Sequence, residues 1–252
     1  MFASVQNYLH TLSTDSKGRA AIHFSAEVHE FSTIVSKIVE TLQIYHSVHP
    51  EIDADPKHVA FGLMTKGANT LMAGFELALT GYFWEPQILF RSALEGFATA
   101  WDIVNNPKRF AVWQAGKKFS STDSISNLKK EIEPVGKMYG FLSEMYVHTS
   151  PINSSPPMFV SQGEAKFQFF GYLPPDKEDV RKGEVYVALL TSFVCLQLTE
   201  IIFHNYAKEL ETIEKIPGTD TVSTKVSARH RKFVDAAMAH FSTRSKDPSA
   251  CF

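Results

Sequence analysis

Apolar side chains recur every three to four residues along most of this 252-residue chain, the spacing that gives a helix one buried face. From about residue 20 to 48 they fall at Phe31, Ile34, Val35, Ile38, Leu42 and Tyr45. The next run places Met64, Ala68, Leu71, Phe75, Ala78 and Tyr82. Gly81 predicts a helix stop, and Pro86 suits the first turn of a new helix, where its missing N–H costs nothing. Residues 81–86 therefore predict a tight connection between two antiparallel helices. The helix from about Pro86 to Val104 is apolar around most of its circumference (Ile88, Leu89, Phe90, Ala93, Leu94, Phe97, Trp101), which predicts a central position. Asn105-Asn106-Pro107 ends it, and a short helix to about Lys118 follows.

Residues 120–126 are polar and read as a turn with several candidate N-caps. Leu128, Ile132, Val135, Tyr139, Leu142 and Tyr146 then mark another helix, with Pro134 predicting either a kink or a start near Glu133. Five prolines make 149–178 a long irregular region. Inside it, Met158-Phe159-Val160 and the run 166–170 flank Gln162-Gly163-Glu164 as a small β-hairpin at about 158–170. A helix from about 177 or 179 to Ile213 closes at Pro217-Gly218, and a last one is expected at about 224–241. The expected architecture is all-α: an up-and-down-like bundle of six or seven helices forming one domain over 1–216, with a basic tail over 217–252.

Composition changes this picture little. Hydrophobic residues make up 44% and Phe is common, 20 of 252, enough for a large aromatic core. A net charge of −2 provides no global field for nucleic acid or anionic lipid, so such contacts would need a local patch. The two cysteines, Cys195 and Cys251, do not make a disulfide framework. The first residues lack the basic and apolar regions of a signal peptide, so the expected location is the cytoplasm. The segment 185–203 is apolar, but Thr191, Ser192, Gln197, Thr199 and Glu200 interrupt it, which predicts a buried helix and no membrane span.

Candidate chemistry concentrates on the central helix. Arg91, Glu95, Ala98 and Asp102 share one line of it, and Arg91 can pair with Glu95 one turn away. The line is either a narrow solvent face with a surface ion pair or a polar network entering a cleft. A second cluster runs from Tyr139 through Ser143 and Glu144 to His148 at a helix C-terminus. The dipole there favours a protonated imidazole, which serves either as a cap or as a general acid–base.

The stretch Leu89-Phe90-Arg91-Ser92-Ala93-Leu94-Glu95, followed by Tyr139…Leu142-Ser143…His148-Thr149-Ser150-Pro151, resembles a family of uncharacterised, mostly bacterial helical proteins loosely similar to HEPN-type domains. The resemblance covers about residues 60–205. Many HEPN domains are ribonucleases of toxin and phage-defence systems, so it implies a nucleic-acid-associated protein of bacterial defence or stress. It also implies metal-independent cleavage carried by Arg91, Glu95 and His148, with Tyr139, Ser143 and Asp102 in support. In the HEPN signature the histidine lies five residues from the arginine on one helix. Gly96 stands there in this chain, so the implied site is a composite of two helices.

Two other constellations are weighed beside it. Glu144/His148 and Glu200/His204 are Glu-x-x-x-His pairs that facing helices of a bundle can turn toward a metal, although such pairs are also ordinary helix neighbours. The tail carries Lys225, Arg229, Arg231 and Lys232, a basic segment suited to phosphate or to an acidic partner, or simply a solvated face. No phosphate loop, nucleophile elbow or cysteine-based zinc motif is present, and no cofactor is expected. The partners left open are RNA, a protein or a second copy of the chain. The alternative to an enzyme is a helical scaffold in which Arg91, Glu95 and His148 form a structural network.

Overall fold

The computed structural model describes residue 11 and residues 13–50, 55–146, 158–161, 164–167 and 181–206. Within them the chain is all-α. The helices are α1 (Ser13–His23), α2 (Ser25–Val48), α3 (Pro56–Thr80), α4 (Glu85–Asn105), α5 (Pro107–Gln114), α6 (Ser121–Leu128), α7 (Glu133–Tyr146) and α8 (Lys182–Ile202). Two four-residue strands, β1 (Met158–Ser161) and β2 (Glu164–Phe167), pair antiparallel with Val160 opposite Ala165. The tail 217–252 and the expected helix at 224–241 lie outside the described residues.

The helix ends follow local chemistry. Asp55 caps α3 by accepting from the backbone N–H groups of Lys57 and His58, with Pro56 in the first turn. Gly81 ends α3 in the left-handed conformation, φ 98°, which costs a residue without Cβ nothing. Asn106 accepts from the N–H of Arg109 to start α5, and Ser120 accepts from the N–H of Asp123 to start α6. One expectation needs correcting. Residues 121–126 are helical, because the Ser120 cap lets Ile125 and Leu128 bury one face of a short, otherwise polar helix. Of the two alternatives for Pro134, the structure takes the start at Glu133: the proline sits in the first turn of the helix that carries Val135 and Leu142, and no kink is needed.

The core is built around α4, which packs on α3, α5, α6, α7 and α8. The α3–α4 pair is the closest. A Cβ on Gly67 would lie 2.7 Å from the Phe97 ring, and one on Gly74 would lie 2.7 Å from the Phe90 ring, so both rings fit only because those two residues are glycine. Phe90, Phe97, Leu94 and Ala93 are fully buried. Helix α8 is long and apolar enough to cross a membrane, yet 72% of its most apolar stretch is buried against the other helices, chiefly α2, α3 and α4.

A buried arginine closes one end of the bundle. Arg181, 1% exposed, donates through Nη1 to the carbonyl oxygens of Ser16 and Leu79 and through Nη2 to Ser16 Oγ at 2.6 Å. Ser16 Oγ in turn donates to the Thr80 carbonyl at 2.9 Å. A cation is thus held against the C-terminal carbonyls of α3, where the helix dipole is negative, and it joins α1, α3 and the start of α8. At the opposite end of α3, His49 Nε2 and Tyr206 Oη lie 2.7 Å apart beside the ring of Tyr45.

Candidate functional site

Helix α4 carries its polar residues on one line because residues four apart stand almost above one another. The line begins at Gln87 and continues through Arg91, Glu95 and Ala98 to Asp102; Arg91 and Glu95 meet α7, and Asp102 meets α6. It divides into two sites of different character.

At the C-terminal end, Asp102 is 1% exposed and its carboxylate is fully engaged. Oδ2 accepts from Arg109 Nε at 2.8 Å and from Ser124 Oγ at 2.9 Å, and Oδ1 accepts from Asn127 Nδ2 at 3.1 Å. Arg109 also donates to the Ser120 carbonyl at 2.9 Å, approaches Asp123 at 3.6 Å and lies over the Phe119 ring at 3.9 Å. A buried carboxylate is tolerable only with such a shell. This one locks α4, α5 and α6 together. Asp102 therefore belongs neither to a solvent face nor to the Arg91 group: its contacts are structural and separate from it.

Further along the line toward the N-terminus, Arg91 Nε donates to Glu95 Oε1 at 3.1 Å and Arg91 Nη2 donates to Tyr139 Oη at 2.9 Å. Tyr139 Oη donates to the same Glu95 oxygen at 2.8 Å, which closes a triangle. The guanidinium carbon is 5.0 Å from the Tyr139 ring centre, within cation–π range. The side chains of Arg91 and Glu95 are 20% and 24% exposed, so solvent reaches the triangle without surrounding it. Among the described residues, Arg91 Nη1 has no hydrogen-bond acceptor, which leaves one edge of the guanidinium open. Such a group is suited to an oxyanion such as phosphate.

The expected residues are placed as follows. Arg91, Glu95 and Tyr139 come together from α4 and α7. Ser143, one turn beyond Tyr139, has a hydroxyl shielded from solvent with no hydrogen-bond partner among the described residues. His148, the side chain of Glu144, and Lys225, Arg229, Arg231 and Lys232 lie outside the described residues and side chains. Glu200 and His204 are exposed and, with Ile132, Gln197 and Ile201, line an open groove of about 460 Å³. No group of three or more His, Cys, Asp or Glu side chains among the described residues is placed to hold a metal ion.

Sequence reasoning missed three parts of this arrangement. Gln87 is fully buried, and neither end of its amide has a hydrogen-bond partner among the described residues. Its spacing of four before Arg91 was the available signal. Arg109, Ser124 and Asn127 form the shell of Asp102, and the three-residue spacing of Ser124 and Asn127 on one helix marked a shared polar face. Arg181 gave no signal in one dimension, because its acceptors are two main-chain carbonyls and a serine hydroxyl 165 residues away. Cys195 is buried, and burial alone pushes its thiol pKa far up, so it is no nucleophile.

No family model matches this chain, and neither a curated protein nor a solved structure does.

Proposed function

We propose that this protein is a HEPN-like, nucleic-acid-associated helical protein whose phosphate contact is Arg91 in the seam between α4 and α7. One observation carries the reading: the two motifs behind the resemblance, 44 residues apart at Glu95 and Tyr139, share a hydrogen bond around a partly exposed arginine with an open edge. In this reading the partner is RNA, and any reaction is metal-independent cleavage. His148 moves a proton at the 2′-hydroxyl or the leaving oxygen, and Arg91 stabilises charge developing on the phosphate. Glu95 and Tyr139 hold the guanidinium in place. Lys225, Arg229, Arg231 and Lys232 add sequence-independent phosphate contacts. The setting that fits is a bacterial defence or stress response in the cytoplasm, with a homodimer as the assembly.

A second reading is favoured by the closure of the triangle. Arg91 is already neutralised by Glu95, as in a clamp between helices of a scaffold module. The deciding experiment incubates the purified protein with a pool of RNAs and compares it with His148→Ala and Arg91→Ala. The first reading expects cleavage that falls by about 10²- to 10⁴-fold in each variant. Cleavage unchanged by both substitutions refutes it, and no cleavage together with no Arg91-dependent RNA binding leaves the scaffold.

A further inference from the structure

Gln87 stands one helical turn from Arg91 on α4 and Ser143 one turn from Tyr139 on α7, and among the described residues neither the Gln87 amide nor the Ser143 hydroxyl has a hydrogen-bond partner. Helix α6 meets the C-terminal end of α4 through Ser124 and Asn127 on Asp102, and α7 starts from that end at Glu133. Tyr139 then meets Arg91 and Glu95, farther toward the N-terminus of α4. The two helices are therefore antiparallel. With a rise of about 1.5 Å per residue, Gln87 stands about 6 Å beyond Arg91, and Ser143 about 6 Å beyond Tyr139, in the same direction. Both orphans fall at one level of the seam, one turn from the open guanidinium edge.

A buried polar atom without a partner is costly, and natural structures keep few of them. Gln87 has both amide heavy atoms in that state and is 0% exposed, four residues before Arg91 on the same helix. A primary amide offers two donors and an acceptor in one plane, and a hydroxyl adds a donor or acceptor at the side. That set matches the edge of a nucleobase, which presents donors and acceptors in a plane and is read elsewhere by Asn and Gln in this way.

We infer that Gln87 and Ser143 form a base-reading subsite: the edge of one nucleobase enters the α4–α7 seam beside them while the adjoining phosphate meets Arg91. The inference rests on the RNA reading given above and adds sequence preference to it. Because both groups are shielded in the free protein, base entry requires the partly exposed Arg91, Glu95 and Tyr139 side chains to part. Arg91 supplies affinity common to all sequences, and Gln87 and Ser143 supply discrimination.

The test uses the full chain and short oligoadenylate, oligocytidylate and oligouridylate, with dissociation constants measured for wild type, Arg91→Ala, Gln87→Leu and Ser143→Ala. Wild type is expected to prefer one homopolymer by about tenfold. Gln87→Leu and Ser143→Ala flatten that preference while still binding all three, and Arg91→Ala weakens all three alike. Gln87→Leu should melt at or above wild type, since a shape-matched apolar side chain replaces an unpaired amide. A wild type that binds all three equally overturns the subsite alone, as does a Gln87→Leu variant that keeps the preference or melts well below wild type. Binding of none of the three overturns the RNA reading beneath it.

Discussion

The triangle of Arg91, Glu95 and Tyr139 can be tested by removing one atom. Tyr139→Phe deletes the hydroxyl that accepts from Arg91 Nη2 at 2.9 Å and donates to Glu95 Oε1 at 2.8 Å, and leaves the ring packed where it is. Hydrogen bonds to charged groups contribute about 1.5–3 kcal/mol each when well shielded. Two corrections reduce the sum. Arg91 and Glu95 are 20% and 24% exposed, so water replaces part of what is lost, and their direct bond at 3.1 Å survives the substitution. A net cost of ~1–2 kcal/mol follows. For a chain of this length that is a fall in Tm of about 2–8 °C. The assay is thermal and urea unfolding of wild type, Tyr139→Phe, Glu95→Gln and the double variant, at low and high salt. The double-variant cycle should give a coupling of ~0.5–2 kcal/mol, smaller at high salt because the charges are partly exposed. Strict additivity, or a Tyr139→Phe protein as stable as wild type, would mean that the phenol does not join the two helices, and the composite site would lose its basis.

Other consequences can be checked with the same measurements. Gly62→Ala, with nothing within 4 Å of the new Cβ, should stabilise α3 by ~0.5–1 kcal/mol. Gly67→Ala should destabilise by ~1–2 kcal/mol net, because its Cβ meets the fully buried Phe97 ring at 2.7 Å; equal effects in urea unfolding would refute the packing of α3 on α4. Asp102→Asn keeps the shape but replaces one acceptor oxygen by an NH2 donor, which faces either Asn127 Nδ2 or the pair Arg109 Nε and Ser124 Oγ, and leaves Arg109 without its closest carboxylate. A loss of ~2–4 kcal/mol is expected, below the limit for a fully buried pair because Arg109 is 18% exposed, and a variant that melts like wild type would contradict the network. Cys195 should resist thiol reagents in the native protein and react once it is unfolded. Its thiol pKa is raised by burial, so the unfolded chain releases that proton first as pH rises past the ordinary thiol range; stability should fall there and not below it, and Cys195→Ala should lose this part of the alkaline decline.

Much of the fold was legible because helix periodicity is a local property. Phe31 to Tyr45 and Met64 to Ala78 announced their buried faces directly, and Gly81 and Asn106 mark real helix ends. What could not be read was anything decided across helices. The sequence Ser-Thr-Asp-Ser-Ile-Ser-Asn-Leu looks like a turn until Ile125 and Leu128 find the core and Ser124 and Asn127 find Asp102. For the same reason the α4 line read as either a solvent face or a cleft. Spacing along one helix places Arg91, Glu95 and Asp102 on a line but does not say which of them meets a donor 22 residues later and which a phenol 48 residues from Arg91. The Arg91–Glu95 pair was legible from their spacing on one helix, whereas the bond from each of them to Tyr139 on a second helix was not. The third member of the composite site, His148, lies outside the described residues.

The α4 line also argues where chemistry can occur on this protein. At its C-terminal end, both carboxylate oxygens of Asp102 accept from protein donors, three bonds in all, and Arg109 is flanked by Ser120, Asp123 and Phe119. A ligand there would have to displace bonds that are already good, and those bonds tie α4, α5 and α6 together. One turn after another toward the N-terminus the balance changes. Arg91 keeps an open edge in partial contact with solvent, and Gln87 keeps a whole amide without a partner. Incomplete satisfaction is a cost to the free protein, and natural cores rarely carry it without return. In the reading proposed above, a ligand completes the N-terminal half of α4 and the facing turn of α7, and an oxyanion with a planar polar group attached has the composition that would fill the positions left open among the described residues.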